Sequence, residues 1–438
     1  MKLLNFRIFY TVLLCVPFTH WAQELETNRI VLTPALINGL AEEARSNNAA
    51  IWAARSRVTA AEENAKSVPL WPDPEMMFGG MGAETMMREE DGDIIYGAEQ
   101  MLPVFGKEKA AQKAARAMVP VEEADVEFQF QTVRKNLAEA LFKAVLTDEL
   151  LVLSQQDLVW LETLTRAIES RYNVGDASQT DVLRVQNERS RRAEQLRNQE
   201  NEREAAYAAV NRILNRNVIA GWARMELPRP AAPVPLTEEL FRYAEKFEPQ
   251  LRMMRLQRDQ ATAMKDLTRK ERLPDLSAGV EARQYSRTGE GRSAEVVLKM
   301  KLPWFNRSKY NAALRRDEAR VQEIDYRIED MIYQLRTEVH HLTARIDNAR
   351  REALLYRDEI IPRSELSLRS AEVAWQSSRD AFRDVLDSRR MLLEARTMYF
   401  KAVAEQYMAL SELILCCGIG DLEALELLQK SSKGMEAK

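Results

Sequence analysis

The sequence predicts a mainly α protein with a small β part, organised as an internal two-fold repeat. Three observations carry this expectation. Only 15 Gly and 15 Pro punctuate 438 residues, of which 30% are charged, the composition of long and rarely broken helices. Apolar residues in the longest segments recur at the spacing of a coiled-coil seam. Short motifs also return in the same order about 200 residues later.

The N-terminus comes first. Lys2 and Arg7 precede an apolar stretch from Ile8 to Phe18, and the small Ala22 stands before Gln23. Residues 1–22 therefore read as a cleaved secretory signal, too short in its apolar core to remain as a membrane helix. Cys15 would suit a lipoprotein signal, but the bulky Leu14 before it does not.

The remaining chain contains itself twice. Leu102-Pro103-Val104-Phe105-Gly106-Lys107 returns as Leu302-Pro303-Trp304-Phe305-Asn306-Arg307, and Pro72-Asp73 returns as Pro274-Asp275. Asp181-Val182-Leu183 and Leu32-Thr33 return as Asp384-Val385-Leu386 and Leu236-Thr237, with offsets between 200 and 204. The copies occupy residues 23–225 and 237–417, joined by a Pro-rich linker at 226–236 and followed by a tail at 418–438.

Each copy reads in one order. An opening helix runs from Thr33 to Ser67, with Thr33 as N-cap and Pro34 at the first helical position; its counterpart runs from Thr237 to Leu273. A β-hairpin follows, at about 74–103 and again at about 275–303. Long helices then span Lys107–Asn173 and Ser308–Ala374, with Pro120 and Pro362 expected to kink them or move their starts. Tips at about 174–178 and 375–380 lead into return helices, Ser178–Asn215 and Asp380–Cys416. A long helix of 67 residues reaches about 100 Å at about 1.5 Å per residue. Two shorter helices stacked end to end match it.

The long helices bury a narrow stripe. In the second copy it is Val321, Ile324, Ile328, Ile332, Leu335, Val339, Leu342 and Ile346; in the first it is Val126, Phe130, Val133, Leu137, Leu141 and Val145. Spacing alone is equally that of an ordinary antiparallel bundle or rod. The hairpins add a second signal, because Ala294, Val296, Leu298, Met300 and Leu302 alternate with Glu295, Lys299 and Lys301. Leu276, Ala278, Val280 and Ala282 alternate in the same way with Ser277, Gly279, Glu281 and Arg283, around the turn Thr288–Gly291. Strands of about 9–11 residues with one apolar face fit a bilayer-crossing barrel. Four strands cannot close one, since the smallest such barrels need about eight. Either several chains each contribute four strands, or the hairpins cap a soluble rod.

Other functions fall away. A net charge of −4 argues against a phosphate-held nucleic-acid binder, and 3 Cys and 3 His cannot build a disulfide framework or a His-based zinc site. No nucleophile–base spacing, phosphate-cradling loop or metal-ligand cluster suggests an enzyme or a cofactor. Met76, Met77, Met81, Met86 and Met87 could offer soft sulfur to Cu(I), but methionines also suit an apolar strand and loop. His340 and His341 read as surface residues, and Cys416 and Cys417 as buried thiols closing an apolar helix end.

The duplicated plan, the Leu-Pro-[Val/Trp]-Phe-x-[Lys/Arg] motif and the string Arg171-Tyr172-Asn173-Val174-Gly175-Asp176-Ala177-Ser178 resemble the TolC family of outer-membrane efflux channels. Pro72-Asp73-Pro74 and Phe105-Gly106-Lys107 are most similar to its metal-efflux branch. The resemblance implies a homotrimer whose four strands per chain form a 12-stranded transmembrane β-barrel. Its long coiled-coil helices would form an α-barrel reaching into the periplasm. It also implies outer-membrane lipid around the barrel, a periplasmic adaptor and an inner-membrane pump as partners, and metal cations or drugs as cargo. The other reading is a periplasmic coiled-coil scaffold or adaptor with no pore. The tips carry the site candidates. Asp176, Asp181, Arg379, Asp380, Arg383 and Asp384 could form constriction rings or Arg–Asp latches, while Asp176 and Asp380 could instead cap the return helices. Val174, Gly175, Ser178 and Ser378 are candidate adaptor contacts by position.

Overall fold

The computed structural model describes residues 30–81, 92–234, 236, 238–377 and 382–417. The expected helices and hairpin strands are present among them, divided where local chemistry dictates, while the expected signal segment 1–22, residues 378–380 of the second tip and the tail 418–438 lie outside the described residues. The opening helix is two helices, α1 (Pro34–Asn47) and α2 (Ala49–Ser67), because Asn48 stands extended between them. Its Oδ1 accepts from Ala50 N at 2.9 Å and its Nδ2 donates to the Ile213 carbonyl at 2.8 Å, so one side chain starts α2 and ties it to another helix. Thr33 caps α1 as expected, its Oγ1 accepting from Leu36 N at 3.3 Å. The hairpin strands β2 (Glu75–Met81) and β3 (Asp93–Leu102) come next, followed by α3 (Lys107–Arg116) and α4 (Val119–Asn173). Thus the first long helix breaks just before Pro120, whose missing N–H costs nothing in the first turn of α4. The return helix is α5 (Gln179–Ile213).

The second copy opens with α6 (Glu238–Phe247) and α7 (Pro249–Lys270); the expected start of this helix, Thr237, lies outside the described residues. Here the break precedes Pro249, and the Glu248 carboxylate accepts from Leu251 N. β5 (Asp275–Tyr285) and β6 (Gly291–Lys301) form the second hairpin, turning at Gly289, whose φ of 73° suits only glycine without strain. α8 (Arg307–Leu355) and α9 (Ile361–Gln376) are separated by a π turn, Tyr356–Ile360. Pro362 has no N–H for the carbonyl four residues back, and the helix widens into the π turn ahead of it. α10 (Phe382–Cys417) returns.

Two short strands lie outside the repeat plan. β1 (Ile30–Val31) pairs in parallel with β4 (Met225–Glu226), so the start of the described chain is tied to the beginning of the inter-repeat linker. Around this tie sits the main core, with Leu32, Ile37, Leu40, Ile51, Leu137, Leu141, Phe142 and Leu214 buried together. A second core joins Leu335, Val339, Leu342 and Ile346 to Leu410 and Leu413. The seams are thus real from Phe130 to Val145 and from Leu335 to Ile346, whereas Ile324, Ile328 and Ile332 are only half-buried. His340 and His341 are exposed. Cys417 is buried and Cys416 half-buried, and burial pushes both thiols up to about 12.

Candidate functional site

The four long strands form one antiparallel sheet in the order β2-β3-β5-β6. Opposite residues share a face. Met76, Ala98, Val280 and Val296 make one rung, with Phe78, Tyr96, Ala282 and Ala294 the next and Leu102, Leu276 and Met300 at the helical end. Among the described residues nothing covers this apolar face: Val296 is 78% exposed, Phe78 75% and Leu298 67%. The opposite face is charged. Glu75, Glu99, Glu281, Arg283, Glu295, Lys299 and Lys301 belong to it. Glu99 accepts from Ser277 Oγ at 2.5 Å and from Lys299 Nζ, and Arg283 pairs with Glu281 at 2.9 Å. At the end away from the helices, Arg292 holds the buried Asp93 at 2.7 and 2.8 Å. Met76 lies on the apolar face while Met77 and Met81 lie on the charged one, so these three sulfurs do not converge; Met86 and Met87 are outside the described residues.

The seam between the two hairpins tolerates no side chain at two glycines. A Cβ on Gly97 would stand 2.7 Å from the Val280 carbonyl oxygen, and one on Gly279 2.8 Å from that of Ala98. Both obstacles are backbone. Gly97→Val is expected to cost on the order of 2–3 kcal/mol and to lower the melting temperature of the folded protein. An unchanged melting curve would show that the seam relaxes at no cost.

At the other end of the molecule α4 closes on a tight tip. Gly175, with φ 85°, lets Asp176 N donate back to the Arg171 carbonyl at 2.8 Å. Asp176 does not cap the return helix. Ser178 does, its Oγ accepting from Asp181 N at 3.1 Å and donating to the Asp181 carboxylate at 2.6 Å. Asp181 also pairs with Arg184 at 3.2 Å, and Arg383 with Asp387 at 3.3 Å. Asp384 lies in the first turn of α10, and Val174 is 73% exposed. Ser378, Arg379 and Asp380 lie outside the described residues.

Farther from the tip is a polar cluster that sequence reasoning missed. Asp157 on α4 is buried, accepting from Arg389 Nε of α10 at 2.7 Å, and Arg192 Nε of α5 lies 2.7 Å away. Arg390 pairs with Glu188 at 2.6 Å, and Trp160 Nε1 donates to Glu372 at 3.3 Å. Both arginines on Asp157 come from a repeated Ser-Arg-Arg, at 190–192 and 388–390, which was the available signal. The cluster joins the two copies through a shared buried carboxylate.

Among the described residues no helix is long and apolar enough to cross a membrane. No curated protein matches the chain by sequence. Solved structures match its fold over most of their length. The outer-membrane channel OprN is 16% identical, with 88% of this chain and 90% of that chain covered and a TM-score of 0.76. CusC, described for its transmembrane channel formation, is 16% identical, with 89% and 94% covered and a TM-score of 0.77. The outer-membrane protein VceC of Vibrio cholerae is 15% identical, with 88% and 96% covered and a TM-score of 0.73. The fold is therefore that of these channels, long helices joined to a small sheet. The family model for outer membrane efflux proteins matches twice, over residues 40–216 and 241–418, once in each copy, and the chain belongs to the outer membrane efflux protein family.

Proposed function

We propose that three copies of this chain form a passive exit duct across the outer membrane and periplasm. The carrying observation is the uncovered apolar face of the four-stranded sheet, backed by a charged face. A sheet with this pattern is satisfied when its apolar side meets lipid, its charged side meets water and its edges pair with other copies. Three chains give twelve strands around a wet lumen. The helices extend the passage into the periplasm, where a periplasmic adaptor would dock near Val174, Gly175, Ser178 and Ser378 and an inner-membrane pump would supply the energy. Ser178 is already committed to the N-cap, so its contact would come through the backbone of the tip. Metal cations or drugs are the cargo classes, with pump and adaptor choosing between them.

Asp176, Asp181 and Asp384, repeated by threefold symmetry, would ring the tip and favour cations, with Arg379, Asp380 and Arg383 beside them. In planar bilayers, replacing Asp176, Asp181 and Asp384 together by alanine should lower cation selectivity and change single-channel conductance. Unchanged values would remove these acids from the constriction. Fractionation tests the whole reading: the protein should sediment with outer membranes as a detergent-resistant oligomer, and a soluble periplasmic monomer would favour the scaffold reading.

A further inference from the structure

The two hairpins of the sheet share one register. In the first hairpin Met76 faces Ala98 and Phe78 faces Tyr96. Shifting β2 by 202 residues and β3 by 200 gives Ala278 facing Leu298 and Val280 facing Val296, which are the observed pairs of the second hairpin. These are also the offsets of the two motifs that flank the strands, Pro-Asp and Leu-Pro-x-Phe-x-[Lys/Arg]. β5 is thus the residue-by-residue copy of β2, and β6 that of β3.

The β3–β5 seam joins the second strand of one copy to the first strand of the other. A pairing of the same kind is left open at the two sheet edges, β6 and β2. The helices follow the strand order, with α2 against α3, α3 against α7 and α7 against α8, leaving α2 and α8 at the two flanks. Beside the internal seam an ion pair crosses from one copy to the other. Lys107, the first residue of α3, reaches Asp275, the first residue of β5, and both side chains are largely shielded. Their equivalents are Arg307, the first residue of α8, and Asp73. Both equivalents are exposed in the protomer, and neither takes an ion pair among the described residues.

We propose that the chain repeats its internal seam between subunits, pairing β6 with β2 of the next copy and closing the helical end with Arg307 on Asp73 of the partner subunit. Carrying the β3–β5 register across by the same offsets places Leu298 opposite Phe78 of the partner subunit. Met300 then faces Met76 of the partner subunit, and Lys301 faces Glu75 of the partner subunit. Apolar residues meet apolar ones on the lipid side, and on the lumen side one pair of opposite charges meets at the helical end. A slip of one residue would turn every side chain of β6 to the wrong face. The two motifs that recur in the sequence acquire a reason: each supplies one half of an ion pair that is made once inside the chain and once between chains. This inference rests on the oligomeric channel reading above and adds the register to it.

Cysteine cross-linking in intact outer membranes tests it. Residues directly opposite in an antiparallel pair have Cα atoms about 4.5–5.5 Å apart, within disulfide reach, whereas diagonal neighbours at about 7–8 Å are not. After mild oxidation, Phe78→Cys with Leu298→Cys should give covalent dimers and trimers on non-reducing denaturing gels. Phe78→Cys with Val296→Cys, or with Met300→Cys, should give little or none, as should each single variant. Glu75→Cys with Lys301→Cys reads the same register from the other face if the first pair fails to assemble. Cross-linking through Val296 or Met300 instead, or none from any pair in a protein that still runs as a trimer, would overturn the register and leave the trimer standing. A wild-type protein that runs as a monomer would overturn the channel reading itself. In a parallel arm, Arg307→Asp should cause loss of the detergent-resistant trimer and Asp73→Arg should restore it. Failure of that rescue would overturn the ion pair.

Discussion

Val296→Arg is expected to empty the outer-membrane fraction of assembled protein. Val296 stands midway along β6, 78% exposed in the protomer, on the face shared by Phe78, Val280 and Leu298. A cationic side chain at the bilayer midplane on the lipid face of a barrel costs about 2–4 kcal/mol, and in the proposed trimer three copies would bring the cost to about 6–12 kcal/mol. The neighbouring position is the control. Glu295 lies on the charged face, where Lys299 and Arg283 already sit, so Glu295→Arg should assemble. Heat-modifiable oligomer in membrane fractions, compared between the two variants, is the measurement. Equal assembly of both would mean that the apolar face does not meet lipid.

What the sequence made legible follows from which interactions are periodic. Alternation in β5 and β6 needs no knowledge of neighbours, so both strands, and the face each residue takes, could be read directly. Long helices were legible for the same reason, and Pro120 and Pro362 marked their interruptions. Asn48 did not announce its break, because it lies within an amphipathic pattern and starts the next helix through a side-chain cap, whereas at Glu248 the following Pro249 was the available signal. β1 and β4, at two residues each, are too short to carry any period. At the tip, Asp176 looked like the cap because Asp caps well, yet Gly175 sets the turn and Ser178 is the residue that meets the first free N–H groups. Asp157 was invisible for a different reason. It closes a short polar run, Ser154-Gln155-Gln156-Asp157, that reads as solvated, and the approach of α5 and of α10 from the other copy buries it.

Asp148→Ala is expected to give the largest loss of stability outside the membrane. Its carboxylate is buried, accepting from Arg203 Nε at 2.5 Å, from Tyr207 Oη at 2.5 Å and from Met225 N at 3.0 Å. Burial, first, and then the adjacent carboxylate hold the Tyr207 hydroxyl far above its ordinary range, so it stays a donor. Removing the acceptor strands a phenol and a backbone N–H and leaves the Arg203 guanidinium only the Trp222 carbonyl at 3.1 Å, a loss of about 3–5 kcal/mol, as where a buried charge loses its partner. The same carboxylate begins a series that grips the linker. Glu149 accepts from Leu227 N at 3.1 Å, Tyr407 Oη donates to the Arg229 carbonyl at 2.8 Å, and Gln406 both donates to and accepts from Ala231 at 3.0 Å. Asp148 and Glu149 stand on α4, and Gln406 and Tyr407 on α10, so each copy holds the strap that joins it to the other. In Asp148→Ala, protease cleavage between residues 226 and 234 should appear well below the wild-type melting temperature. The coiled-coil seams keep the repeats one cooperative body, so calorimetry of the variant should show a single transition moved downward. Two separated transitions would mean that the strap carried the coupling between the copies, and an unmoved transition would mean that the Asp148 contacts add no stability.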